Sequence, residues 1–264
     1  MASIAMSAAV TGAQAQQLRI DTIANNVANV NTDSYKRLET TSADLFYVNL
    51  KRAGILENTE AAPRPVGVQV GMGTRIIGTY RNMEQGGLRQ TFRPLDVAIT
   101  GNGYFAIQLP NNRVGYTRSG AFQRDPESGN IITADGNSLK TAIAIPPDIV
   151  TENIQIAENG AITAQDPADP TQIIEIDQIE LFTFPNESGL EAIGNNMLVE
   201  TVGSGEAVVI EDINGRLKQE FLETSNVKAV EELTKLIEDQ RAYELNTRVI
   251  STQDKVLETT NQIK

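Results

Sequence analysis

The chain contains no histidine and no cysteine. Without His it lacks the commonest general base, the commonest metal ligand and the side chain that titrates near neutral pH. Without Cys it has no disulfide framework and no thiol chemistry. Tryptophan is also absent, and aromatic residues make up only 5% of the 264 positions, so a core must lean on Ile, Val, Leu and Ala. That length is enough for one large domain or two modest ones. No run approaches the roughly 18–20 apolar residues of a membrane span. The apolar N-terminus, MASIAMSAAVTGAQAQQ, lacks a basic leader and is broken by Ser, Thr and Gly. It reads as mature chain rather than as a cleaved signal peptide.

Motifs of catalysis and cofactor binding are equally scarce. Gly71-Met72-Gly73 begins like a dinucleotide fingerprint, but Ile76 stands at the third glycine position and no helical pattern follows. There is no Walker-type G-K-[ST] and no G-x-S-x-G. Asp166 and Asp169 miss the calcium-loop spacing. No cofactor, metal or nucleic-acid partner is expected. The net charge of −12 is concentrated: residues 125–224 hold nineteen acidic and three basic side chains, a net of −16. Such a segment repels nucleic acid and anionic lipid at short range, and it also reads simply as a solvated acidic face.

The two ends carry helical periodicity. Met6, Ala9, Ala13, Gln16, Ile20, Ile23, Val27 and Val30 recur at alternating spacings of three and four, a heptad seam with one polar break. Asn31-Thr32-Asp33-Ser34 then marks a helix end near Asn31. On a wheel of about 100° per residue, Ala24 and Ala28 form a second, small-residue ridge, and Asn25 and Asn29 line a third face with Asn26 at its edge. Each Asn costs several tenths of a kcal/mol in a helix relative to Ala. Uncharged amides suit packed helix–helix contacts, where a charge would be expensive. At the other end, Ser225-Asn226 offers N-cap candidates, Glu231 and Glu232 suit an early helical turn, and no Gly or Pro follows to Lys264. Two seams are present there. One runs Leu233, Leu236, Gln240, Tyr243, Thr247, Ile250, Asp254 and Leu257; the other runs Ala242, Leu245, Val249, Thr252, Val256, Thr260 and Ile263. One antiparallel partner, the N-terminal helix, covers only one of them. The second calls for neighbours, most simply copies of the same chain.

The middle reads as short strands between frequent turns, an antiparallel β domain. Leu95 to Thr100, Gly101-Asn102-Gly103 and Tyr104 to Ile107 read as strand, tight turn, strand. Asp166-Pro167-Ala168-Asp169-Pro170 is a polar loop, and Lys51 to Pro65 reads as an extended arm or insertion. The fold expected is α+β. Long terminal helices pair as an antiparallel coiled coil (1–36 with 225–264), a connecting region spans 37–95 and 205–224 with an extended arm at 46–72, and an outer β domain spans 96–204.

Residues 24–32, ANNVANVNT, followed by Tyr35-Lys36-Arg37, resemble the N-terminal motif of flagellar rod and hook proteins. Glu223-Thr224-Ser225-Asn226-Val227, Gln240 through Asn246 and Thr252 through Leu257 resemble that family's C-terminal end, and Asp96 through Phe105 its internal signature. The likeness covers the whole chain in order. Length and the 46–72 insertion are most similar to the distal rod members, with the proximal rod proteins as close relatives. Two departures stand out: Ser34 occupies a position that is often Gly in relatives, and Lys228 one that is often Asn or Asp.

The resemblance implies a structural, non-catalytic subunit. It would leave the cell unfolded through the flagellar export apparatus without a cleaved signal, polymerise as an open homo-oligomeric helix, and meet proximal rod proteins, the hook protein and the P- and L-rings. It would not insert into the membrane. The contact residues implied are Ile20, Ile23, Ala24, Asn25, Asn26, Val27, Ala28, Asn29 and Val30 at one end. At the other they are Leu233, Ile237, Gln240, Tyr243, Leu245, Asn246, Ile250 and Leu257. A hydrolase that uses acidic residues as it crosses the cell wall, and a surface adhesin or other secreted binding module, are the competing readings.

Overall fold

The computed structural model describes residues 2–51, 66–165, 172–212 and 215–262. The expected arm between 52 and 65, the Asp166–Pro170 loop and Asn214 lie outside the described residues, as do the last two positions. The fold is α+β, with a helix at each end of a β-rich middle. The chain forms two compact units, each assembled from separated segments: residues 1–28, 38–81 and 228–264 in the first, 29–37 and 82–227 in the second.

The first unit contains α1 (Ala2–Ala28) and α2 (Ala229–Gln262), which pack together, and four strands, β1 (Leu38–Asp44), β2 (Tyr47–Lys51), β3 (Val68–Gly71) and β4 (Thr74–Arg81). β1 pairs antiparallel with β4, and β2 with β3. The β2–β3 pair lies at the base of the 46–72 insertion and buries little: all of β2 is exposed, and Phe46 beside it is 86% exposed. Gly73, between β3 and β4, has φ +117° and faces α1 closely. A Cβ there would sit 2.1 Å from Thr11 Oγ1 and 3.0 Å from the Ala8 backbone.

The second unit holds the core. Ten of the eighteen buried residues in its main cluster are isoleucines, which compensates for the scarcity of aromatics. Its largest sheet has six strands, with Tyr104–Gln108 between Val114–Thr117 and Leu181–Thr183. Successive side chains of a strand point to opposite faces. Here Phe105 and Ile107 enter the main cluster while Tyr104 and Ala106 enter a second one with Tyr116, Phe182 and Phe184. Each large side chain so buried contributes about 1.5–3 kcal/mol. Edge-on ring contacts, Phe105 to Phe122 at 5.1 Å and Tyr116 to Phe184 at 4.7 Å, fix the packing of both clusters.

The strand–turn–strand reading around Gly101-Asn102-Gly103 holds, but the two strands do not pair with one another. Val97–Ile99 pairs instead with Leu217–Gln219. All three residues of that short strand are buried, so both of its faces need cover, and the glycine-rich turn carries the chain out of one sheet into the next. Helix ends also differ from expectation. α1 stops at Ala28, and residues 29–34 form turns; α2 starts at Ala229, so the residue before it is Lys228 rather than Ser225 or Asn226.

Candidate assembly surfaces and the family of the chain

Three contacts define how α1 meets α2. A Cβ on Gly12 would lie 3.0 Å from the Asn246 amide nitrogen, Arg19 Nη1 lies 4.0 Å from Asp239 Oδ1, and the Asn26 amide donates to Glu232 Oε2 at 2.9 Å. The α1 positions advance by seven while the α2 positions fall by seven, so the two helices run in opposite chain directions. The α1 seam faces inward as its spacing predicts: Ala9, Ala13 and Ile23 are buried, and Met6, Gln16, Ile20 and Val27 are partly so.

The inward face of α2 follows neither apolar seam along its whole length. It consists of Ala229, Glu232, Leu236, Asp239, Ala242, Asn246, Ile250 and Gln253, all buried or half-buried. Polar contacts to Asn26 and Arg19 and the close approach at Gly12 accompany this mixed stripe, which takes Leu236 and Ile250 from the first seam and Ala242 from the second and leaves most of the other large apolar residues outside it. Val230, Leu233, Ile237, Leu245, Val249 and Val256 are exposed, as are Gln240, Tyr243 and Leu257. Exposed apolar patches on soluble proteins often mark interaction sites.

The asparagines of the first helix separate by role. Asn26 is 1% exposed. Its Oδ1 accepts from the Leu38 N–H, and its amide donates to the Leu38 carbonyl and to Glu232, each at 2.9 Å. It therefore ties the end of α1 to the start of β1 and to α2 within one chain. Asn25 stays exposed, on the same outward face as Ala24, Ala28 and Asp21. Asn29 and Val30 lie past the helix end, in the second unit, where Asn29 Oδ1 accepts from the Thr32 hydroxyl at 3.2 Å.

Within the second unit, the three sequence motifs converge on Glu223, a cluster that the sequence does not reveal. Glu223 Oε1 accepts from Lys36 Nζ at 2.7 Å and from the Gly86 N–H at 2.9 Å, and Oε2 accepts from Arg118 Nε at 2.8 Å. Arg118 also donates to the carbonyls of Gly101 and Gly103, and Lys36 to that of Glu84. Burial alone would raise the Glu223 carboxyl, but the charges of Arg118 and Lys36 outweigh it and hold the group below its ordinary value. Burial lowers Lys36, against the opposing pull of Glu223. Ser34 sits beside them at φ 60°, buried, donating its N–H to the Glu223 carbonyl and its hydroxyl to the Arg118 carbonyl. Two enclosed cations share one carboxylate and donate further to backbone carbonyls, an arrangement suited to locking loops together. Among the described residues no group of His, Cys, Asp and Glu could hold a metal ion, and no helix is long and apolar enough to cross a membrane.

Comparison with known proteins agrees with these motifs. Three family models match: "Flagella basal body rod protein" over residues 6–36, "Flagellar hook protein FlgE/F/G D1 domain" over 98–164 and "Flagellar basal body rod FlgEFG protein C-terminal" over 218–263. The flagellar basal-body rod protein FlgG of Caulobacter vibrioides is 42% identical over 98% of this chain and 99% of its own. That of Borreliella burgdorferi is 40% identical over 98% of each. The FlgG of Bacillus subtilis is 32% identical over 94% of each. With relatives this similar along nearly their whole length, the chain belongs to the FlgG family of flagellar basal-body rod proteins.

Proposed function

We propose that this chain, a structural subunit of the flagellar distal rod, polymerises into a rigid hollow helical tube that transmits motor torque to the hook and serves as an export channel. Within the terminal segments 1–36 and 225–264, the helices Ala2–Ala28 and Ala229–Gln262 pair as an antiparallel coiled coil and form the inner wall. Residues 96–204 face outward toward the P- and L-rings. The connecting region, 37–95 with 205–224, carries the 46–72 arm that stiffens the tube between neighbouring subunits. The subunit catalyses no reaction, binds no cofactor and travels unfolded through the export apparatus.

The observation that carries this reading is the exposed apolar surface of α2, on a helix whose intrachain partner already occupies its mixed face. In a heterologous, open assembly each subunit offers two different surfaces to its neighbours, and the uncovered residues supply one of them. Ile20, Ile23, Val27 and Ile250 support the intrachain pair, while Ala24, Asn25, Ala28, Leu233, Ile237, Tyr243 and Leu245 face adjoining subunits. The test is a clean deletion with complementation in the native bacterium. Cells without the chain are expected to be non-motile and to yield basal bodies that end before the hook. Purified hook–basal bodies from complemented cells should contain the chain; its absence from them would refute the proposal.

A further inference from the structure

The side of α2 facing away from α1 carries a second regular pattern. Arg241, Arg248 and Lys255 recur every seven residues, each two positions after a residue on the inward face, Asp239, Asn246 and Gln253. Two positions correspond to about 200° around a helix, so the three cations share the outer face and span about 21 Å along it. All three are exposed, and none lies within ion-pair distance of a carboxylate among the described residues. Leu245 and Val249 are exposed between them, and Val256 directly after the last.

The same unit contains a surface with the opposite charge. A cavity of about 330 Å³ opens between α1, β1 and α2, and Glu39, Glu238 and Asp239 are among the residues lining it. Of the two cations in its wall, Lys235 is engaged by Glu232 at 2.8 Å and Arg19 reaches Asp239 only at 4.0 Å. Glu238 has no cationic partner among the described residues. Burial raises the Asp239 carboxyl above its ordinary value; Arg19 opposes this and the neighbouring charge of Glu238 adds to it. An incoming cation would relieve that excess of negative charge.

One chain cannot satisfy both surfaces by itself. Arg248 lies about 14 Å along α2 from Asp239 and on its far side. We propose that the cavity receives Arg248 from a second copy of the chain, with Leu245 and Val249 of that copy packed beside it and Arg241 and Lys255 flanking the contact. A planar guanidinium suits a site walled by carboxylates, because it can donate to two of them at once. Because cavity and cation stripe are different surfaces of one subunit, the contact is heterologous and leaves each subunit a free cavity or stripe for the next, the kind of contact an open helical polymer uses. The inference rests on the polymer reading above and names a specific junction within it.

Charge reversal tests it in the full-length chain in cells. Arg248→Glu alone and Glu238→Arg alone are each expected to lower the recovery of assembled rods at least tenfold. The double variant is expected to restore recovery to within about threefold of the parent. Both positions are exposed, so circular dichroism of the purified variants should match the parent. Arg248→Lys, which keeps charge but loses the planar fork, should give an intermediate recovery. Singles that assemble like the parent, or a double variant no better than either single, would overturn the junction while the parent's presence in basal bodies leaves the rod reading intact. A parent chain missing from basal bodies would instead remove the rod reading itself.

Discussion

Glu223 shows what a single residue does in this chain and why its role is hidden in the sequence. Its partners Lys36 and Arg118 lie 187 and 105 positions away, and much of the cluster is backbone, the Gly86 N–H and the carbonyls of Glu84, Gly101 and Gly103. Spacing cannot reveal such a meeting. Removing one partner of a buried ion pair leaves the others uncompensated, at about 3–5 kcal/mol. Glu223→Gln is expected to destabilise the second unit by that amount at neutral pH, measured by urea denaturation. The pH dependence has a definite sign. Unfolded glutamate titrates near 4.3. As the pH falls through that value the unfolded chain takes up a proton that Glu223 in the folded chain still refuses, so stability declines with acid until the lower folded value is passed. The variant should therefore show a shallower loss of stability than the parent between about pH 5 and 3. Asn26 offers the complementary case. The helical wheel separates an amide ridge from an apolar seam, yet it cannot say that Leu38 and Glu232 wait opposite one member of that ridge. Ser34 was legible in part: the resemblance implied a position that is often Gly, Ser34 does adopt a left-handed φ, and two hydrogen bonds to the Glu223 and Arg118 segments hold it there.

At the scale of elements, periodicity placed both helices and composition placed the isoleucine core, because both follow from local spacing and residue type. Boundaries followed less well. Ser225 and Asn226 have the chemistry of N-caps, but their side chains are used elsewhere. Asn226 accepts from the Arg37 N–H and donates to the carbonyls of Asn82 and Glu84, and Ser225 accepts from the Val227 N–H. Tertiary partners took the caps, and α2 begins after Lys228, whose carbonyl accepts the Glu232 N–H at 3.0 Å. A lysine supplies no acceptor for the free N–H groups of the first turn and places positive charge at the positive end of the helix. Lys228→Asn should supply that acceptor, worth about 1 kcal/mol. It also removes the exposed Lys228–Glu231 pair at 2.9 Å, which contributes at most about 1 kcal/mol and commonly less. The expected net effect is a gain of several tenths of a kcal/mol, seen as slower amide hydrogen exchange in residues 230–232. Faster exchange there would show that the ion pair outweighs the cap. The two apolar seams on α2 were legible as well, but which face meets α1 was not, since it depends on polar contacts of Arg19 and Asn26 and on the close approach that Gly12 permits.

For the molecule as a whole, the order of segments along the chain differs from their membership in folded units, and this makes truncation informative. Residues 1–28 belong with α2, whereas 29–37, directly after them, belong with the β-rich unit. That short segment supplies Ser34, Tyr35 and Lys36, all buried, as well as Asp33, which accepts both hydrogen bonds from one guanidinium nitrogen of Arg89. A cut after Ala28 removes α1 and exposes the inward face of α2 but leaves every partner of Glu223 in place. A cut after Arg37 removes Lys36 and both of Ser34's hydrogen bonds, stranding a buried carboxylate with one cation fewer. The chain lacking 1–28 should keep a cooperative thermal transition for the β-rich unit, remain monomeric in sedimentation and fail to build rods. The chain lacking 1–37 should lose at least about 3 kcal/mol more in that same transition. Equal stabilities for the two truncations would mean that the 29–37 segment contributes nothing to the β unit, and that the convergence of three motifs on Glu223 matters only in the assembled rod.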